Sequence, residues 1–249
     1  MLSDTFKKCL SITGSFEGAS WGGSNGNFDG AGCSAFILQW NFLSALKDVI
    51  YDMYNADIVK FKALVGDKTQ DIINMCMSPG RDGIQSFITE ITTGGVFNTN
   101  GNPRFFTGGK SLKPEWVAVF KAIGNEFITV QMQHAQSYFD AAVSECKTFN
   151  LNTERSVAFM FDFCVQRGKG NLSTEQQQFL VISKDPSYIE DDDTWLKHIL
   201  EVDLQQMANS PWKLDSYSRR ACILNDGGIV HGKNYDLGKE FGLTDDKVL

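Results

Sequence analysis

The sequence predicts a mainly α protein with one small β-hairpin near the N-terminus. Three observations carry that reading. Only five prolines interrupt 249 residues. Apolar residues recur at three- and four-residue spacing over long stretches, the mark of helices with one buried face. Turn-forming residues gather early, where 18–32 holds six glycines with Ser24, Asn25 and Asn27. A chain that is 42% hydrophobic and 12% aromatic can bury a sizeable core.

Taken in order, Ser3 is placed to cap a first helix, whose face carries Phe6, Leu10, Thr13 and, at its end, Glu17. The glycine-rich segment supplies the hairpin. From Ser34 the run SAFILQWNFLSALKDVIYDMY reads as a long buried helix, and 56–92 as two or three short ones. Residues 93–112 read as a long polar loop with room for a hairpin. Pro114 opens a helix at a position that tolerates proline, with Trp116, Phe120, Ile123, Phe127, Val130 and His134 on one face as far as about Lys147. TERSVAFMFDFCVQRG is apolar nearly all round and stops at Gly168, so it belongs in the middle of the protein. Further helices are expected over 171–184, 193–209 and 216–225. No linker separates these segments, so 1–249 reads as one domain, divisible at most into lobes of about 1–112 and 113–249.

Composition narrows the function. A net charge of −7 disfavours nucleic acid and mildly favours a neutral or cationic partner. No run approaches the roughly 18 apolar residues of a membrane span, and the N-terminus lacks a Sec-type apolar stretch. That points to synthesis in the cytoplasm and action after release. The six cysteines form no CxxC pair and sit mostly in apolar runs such as FDFCVQ and RRACIL, as buried reduced thiols do. The three histidines show no ligand spacing, so neither a metal nor another cofactor is expected. His134 reads as a core residue, His198 as a surface one and His231 as structural. Glu190 to Asp193 reads as a solvated approach to a helix. Of Arg219 and Arg220, one is expected to meet an acidic partner and the other solvent.

The chemistry concentrates in GSFEGASWGGSNGNFDGAGCSAFILQWN, residues 14–41. Glycoside hydrolysis needs two carboxyl groups flanking the scissile bond, one protonated and one ionised. An apolar setting raises a carboxyl pKa, and a polar one keeps it ionised. Glu17, ending an apolar stripe, suits the acid; Asp29, in a glycine and asparagine loop, suits the base. Ser34 is placed to hold the attacking water. Trp21 is the candidate for stacking on a sugar ring, and Trp40 reads as core. Asn27 and Gln39 are candidate substrate contacts, with Gln39 also able to tie down the hairpin. Asp162 and Gln166, one turn apart on the apolar helix, either line a cleft floor or form a buried polar network.

Asp29-Gly30-Ala31-Gly32-Cys33-Ser34 resembles the Asp-Gly-x-Gly-x-Thr segment of the family 46 chitosanases, members of the lysozyme-like superfamily. FMFDFCVQRGKG and SRRACILNDGGIVHGKNYDLGKEFGLTD resemble central and C-terminal segments of bacterial and phage lysozyme-like proteins. Cys33, Arg167 and Asn225-Asp226-Gly227-Gly228 depart from those patterns, and Arg167 bears on what the cleft accepts. The resemblance implies a lysozyme-like α+β fold whose hairpin forms one side of a cleft. It implies an endo-acting inverting glycosidase with Glu17 as acid, Asp29 as base and Ser34 positioning water. Peptidoglycan, cut as by a phage lysin or a virion-borne enzyme, is the first expected substrate. Chitosan is the second. An inactive wall-binding or virion module is the rival outside enzymes.

Overall fold

A computed structural model describes residues 2–18, 20–28, 30–77, 80–98, 106–168, 178 and 191–249. The chain divides into two compact units, Met1–Phe16 with Ala135–Leu249, and Glu17–His134. Asp29 and the helix expected over 171–184 (except residue 178) lie outside the described residues. No helix among the described residues is long and apolar enough to cross a membrane.

The first unit opens with α1 (Leu2–Phe16), which begins before Ser3, so Ser3 is a helical residue and not its cap. The expected stripe is buried: Phe6, Leu10 and Thr13 all face inward. After the C-terminal part of α7 (Ile128–Thr148) comes α8 (Glu154–Arg167), against which α1 packs. The side chains from Ser156 to Cys164 are all buried, as the all-round apolar pattern predicts. Next come α9 (Asp192–Gln206) and α10 (Lys213–Leu224), then a hairpin of β6 (Gly227–Val230) and β7 (Lys233–Asp236), and α11 (Leu237–Phe241). This C-terminal hairpin was not expected from the sequence.

Polar residues carried into this core are paired. Glu154 accepts from Thr5 Oγ1 (3.0 Å), Lys8 Nζ (2.8 Å) and the Thr244 amide (3.1 Å), which joins α1 and the C-terminal tail to α8. Asp162 Oδ1 accepts from Thr13 Oγ1 (3.3 Å) and from Arg219 Nε (3.1 Å) and Nη2 (2.6 Å). Both arginines of α10 are buried, which corrects the expectation that one faces solvent. Arg220 pairs with Asp203 of α9, and burial pulls its guanidinium below its ordinary value against the pull of that carboxylate. Arg167 Nε lies 3.0 Å from the same Asp203. The acidic run also does more than approach a helix. Asp191 caps α9 by accepting from the Thr194 amide (2.8 Å). Asp192 accepts from the Asn152 and Thr153 amides (2.9 Å each), Thr153 Oγ1 (2.8 Å) and Ser156 Oγ (2.5 Å). His198 is half-buried with its ring centroid 5.7 Å from that of Trp195, not a surface residue, and burial pushes its imidazole down.

The second unit holds α2 (Leu46–Ala56), α3 (Ile58–Val65), α4 (Thr69–Cys76), α5 (Arg81–Ile91) and α6 (Pro114–Glu126). Pro114 is in the first turn of α6, as predicted. The single helix expected from Pro114 to Lys147 breaks at Phe127. The Gly124 carbonyl, which a continuous helix would bond to the amide at 128, accepts from the Gln131 side chain at 2.7 Å. Three short strands β1 (Ser24–Asn25), β2 (Ser34–Ala35) and β3 (Trp40–Asn41) form an antiparallel sheet in that order. A second hairpin, β4 (Val96–Asn98) with β5 (Phe106–Gly108), lies within the expected polar loop. The run from Ser34 is therefore helical only from Leu46. Its short apolar opening, Ala35–Leu38, fits a buried strand and turn as well as a buried helix. His134 is half-buried with Nε2 2.8 Å from Asp52.

Two stability effects are expected. Asp203→Ala leaves the buried Arg220 guanidinium without its carboxylate and should cost about 3–5 kcal/mol in urea unfolding, most of it recovered by Asp203→Leu with Arg220→Met. For Asp192, burial raises the carboxyl pKa, but bonds from Ser156, Thr153 and Asn152 outweigh it and hold the group below its ordinary value. Its stabilisation is thus complete above the ordinary aspartate pKa and is lost as pH falls through the depressed folded value. Asp192→Asn should lower the melting temperature near neutrality, and the gap to wild type should close only below the ordinary aspartate range.

Candidate functional site

Glu17 is the first residue beyond α1, half-buried, and Gly18 follows in the left-handed region at φ 60°. A glycine there ends the helix without a Cβ clash. Glu17 thus stands directly after the helix terminus and is neither fully buried nor fully exposed.

The loop between β1 and β2 is pinned on both sides of position 29. Asn27, 3% exposed, donates through Nδ2 to the carbonyls of Phe106 (2.9 Å) and Gly108 (3.0 Å) and accepts the Gly32 amide at 2.9 Å. Its own amide bonds the Gly109 carbonyl at 2.8 Å, and the Phe106 amide bonds the Gly30 carbonyl at 2.7 Å. Asn27 is therefore a loop pin, its amide committed to backbone. The glycines serve the same close packing: a Cβ on Gly26 would stand 2.5 Å from the Gly109 carbonyl oxygen, and one on Gly124 would stand 2.2 Å from that of Trp21.

In the sheet, Ser34 pairs with Asn25 on one side and Asn41 on the other, a polar row across three strands. Ser34 is 1% exposed, and neither its Oγ nor Asn41 Oδ1 has a hydrogen-bond partner among the described residues. Such buried polar atoms retain unused hydrogen-bonding capacity. The β2–β3 turn places Phe36 and Gln39 at φ 73° and 48°, uncommon for such residues. Phe36 is held by burial beside Phe120, ring centroids 6.0 Å apart. Gln39 donates to the Phe36 carbonyl (3.0 Å) and accepts from Asn25 Nδ2 (2.7 Å), so it ties the turn to β1. Trp21 is half-exposed and Trp40 buried.

Gln131, a polar residue on α7 that sequence reasoning passed over, joins these parts. It is fully buried, accepts the Ile37 amide at 3.2 Å and donates to the carbonyls of Trp21 (3.0 Å) and Gly124 (2.7 Å). Its signal was an amide directly beside Val130 of the apolar stripe, shared with Gln133 and Gln136 nearby and so not distinctive.

Glu17, Trp21, Asn27, Ser34 and Gln39 thus belong to the second unit, and Asp162 and Gln166 to the first. Asp162, 0% exposed, presents no atom to a ligand here. Gln166 donates to Asp215 (2.9 Å) and accepts from Ser216 (3.0 Å) and Arg220 (2.9 Å). Arg167, the departure in the central motif, spends its guanidinium on Asp203 and Gln206.

No family model matches the chain, and no curated protein matches it in sequence. Its fold does match solved structures. The GH46 chitosanase of Gynuella sunshinyii, in complex with chitotetraose, superposes with a TM-score of 0.55 at 14% identity, over 93% of this chain and 96% of that one. The native chitosanase of Bacillus subtilis MY002 gives 0.56 at 14% identity, over 95% of each chain. A mutant of that enzyme complexed with six GlcN gives the same values. The chain has the mainly α, lysozyme-like fold of these proteins.

Asn27→Ala should cost on the order of 2–3 kcal/mol, because it strands the buried Phe106 carbonyl and Gly32 amide and the partly exposed Gly108 carbonyl. Amide exchange at Gly32 should accelerate beyond the global loss of stability, since the pin acts on this loop first.

Proposed function

We propose that the chain is an endo-acting, inverting glycoside hydrolase of a β-1,4-linked amino-sugar polymer, with chitosan as substrate. The likeness of fold to chitosanases over nearly the whole chain carries the reading. The order Glu17, Asp29, Ser34 supports it. So does a net charge of −7, which suits a polycation better than an anionic wall. Glu17 protonates the leaving glycosidic oxygen. Asp29 takes a proton from water, which attacks the anomeric carbon from the opposite face. Inversion requires the carboxyl groups to stand roughly 6.5–9.5 Å apart, leaving room for that water. The buried Ser34 hydroxyl, with no other described partner, orients it. Trp21, half-exposed, offers a face to a sugar ring. Peptidoglycan is the second reading, favoured by the resemblance of the central and tail segments to lysozyme-like proteins.

Mass spectrometry of soluble products from chitosan and, separately, from purified sacculi tests both. Glucosamine oligomers from chitosan alone are expected. Muropeptides with reducing muramic acid ends would move the function to the second reading, and binding without cleavage would indicate an inactive module. Glu17→Gln should lower kcat by about 10²–10⁴-fold, the usual worth of a general acid. A variant as active as wild type would remove Glu17 from the mechanism.

A further inference from the structure

The last turn of a helix leaves its carbonyls without intrahelical partners. In α1 two of these, on the residues just before Glu17, are taken by the C-terminal hairpin. Tyr235 Oη donates to the Ser15 carbonyl at 3.0 Å, and the Tyr235 ring meets Phe16 edge-on with centroids 5.1 Å apart. His231 Nδ1 lies 2.9 Å from the Phe16 carbonyl oxygen, which can only accept, so Nδ1 carries a proton. His231 Nε2 pairs with Asp215, and Asp215 accepts from Gln166 at 2.9 Å. Gln166 in turn accepts from Arg220, which is locked to Asp203. The last peptides of α1 are thereby tied to the most deeply buried charges of the unit.

His231 is costly where it stands. Val230 pairs with Lys233, so His231 and Gly232 form a two-residue turn with φ of 50° and 79°. Such turns need positive φ at both central positions and favour asparagine or aspartate before glycine. Turn formation alone does not call for histidine; a ring reaching two partners does.

We infer that His231 and Tyr235 are positioning residues for the Glu17 carboxyl group. They fix the Ser15 and Phe16 peptides and so the direction in which the next side chain leaves the helix. The inference rests on Glu17 being the general acid. Misplacing a reacting group by about 1 Å can cost 10²-fold in rate, so the clamp belongs to kcat and not to substrate affinity.

His231→Asn keeps a residue suited to the turn and removes the reach to Phe16 and Asp215. Tyr235→Phe keeps the ring and removes only the hydroxyl. Both are assayed on chitosan or sacculi, whichever the wild-type chain cleaves, beside Glu17→Gln and with amide exchange at Glu17 and Gly18. The expected result is a fall in kcat of about tenfold or more for His231→Asn and less for Tyr235→Phe. KM should stay within about twofold, exchange at Glu17 and Gly18 should accelerate, and the proteins should remain folded. A kcat unchanged in His231→Asn while Glu17→Gln is inactive, or a loss confined to KM or to the folded fraction, overturns the clamp and leaves the acid assignment standing. Full activity in Glu17→Gln removes the acid assignment, and this inference with it.

Discussion

Helix α8 carries two carboxylates, Glu154 and Asp162, into a core that gives them no water, and the first unit is arranged around their need for partners. An uncompensated buried charge costs several kcal/mol, so each carboxylate recruits donors from segments remote in sequence. Glu154 gathers Thr5, Lys8 and Thr244, and Asp162 gathers Thr13 and Arg219. Residues near both ends of α1 are thus bound to one central helix.

The arginine pair of α10 extends the arrangement. Arg219 serves Asp162, while Arg220 serves Asp203 and Gln166, and through Gln166 the network reaches Asp215 and His231. Charge satisfaction in the core and order at the C-terminus of α1 are therefore one problem with one solution. Gln166 sits at its centre, with both ends of its amide in use.

The second unit answers a different constraint. Phe28 of the β1–β2 loop is 52% exposed, and the described part of the loop is held through backbone groups. Asn27 substitutes for a strand, offering donors and an acceptor to three peptide groups. Gln131 does the same for the β2–β3 turn and for the break between α6 and α7. Two buried amides thereby set the shape around Ser34, whose hydroxyl is left without a described partner.

Much of this was legible in one dimension. The stripe Phe6, Leu10, Thr13, the proline start at Pro114 and the all-round burial of α8 follow from spacing and residue type, because a helix turns every 3.6 residues whatever surrounds it. The position of Glu17 just past a buried stripe followed too. Spacing did not reveal that the run from Ser34 to Ala45 forms strands and turns, since every residue of its opening stretch Ser34–Leu38 is buried and such a stretch carries no period that tells strand from helix. Nor did it reveal the C-terminal hairpin, the burial of both Arg219 and Arg220, or the pinning role of Asn27. The arginines and Asn27 depend on partners from 17 to 81 positions away, which only the folded chain selects. The sequence by itself determined the helices whose buried faces repeat regularly, among them Leu2–Phe16 and Glu154–Arg167. The tertiary structure decided which polar groups are spent on one another, because a buried hydrogen bond is chosen by proximity in space and carries no local signature in the chain.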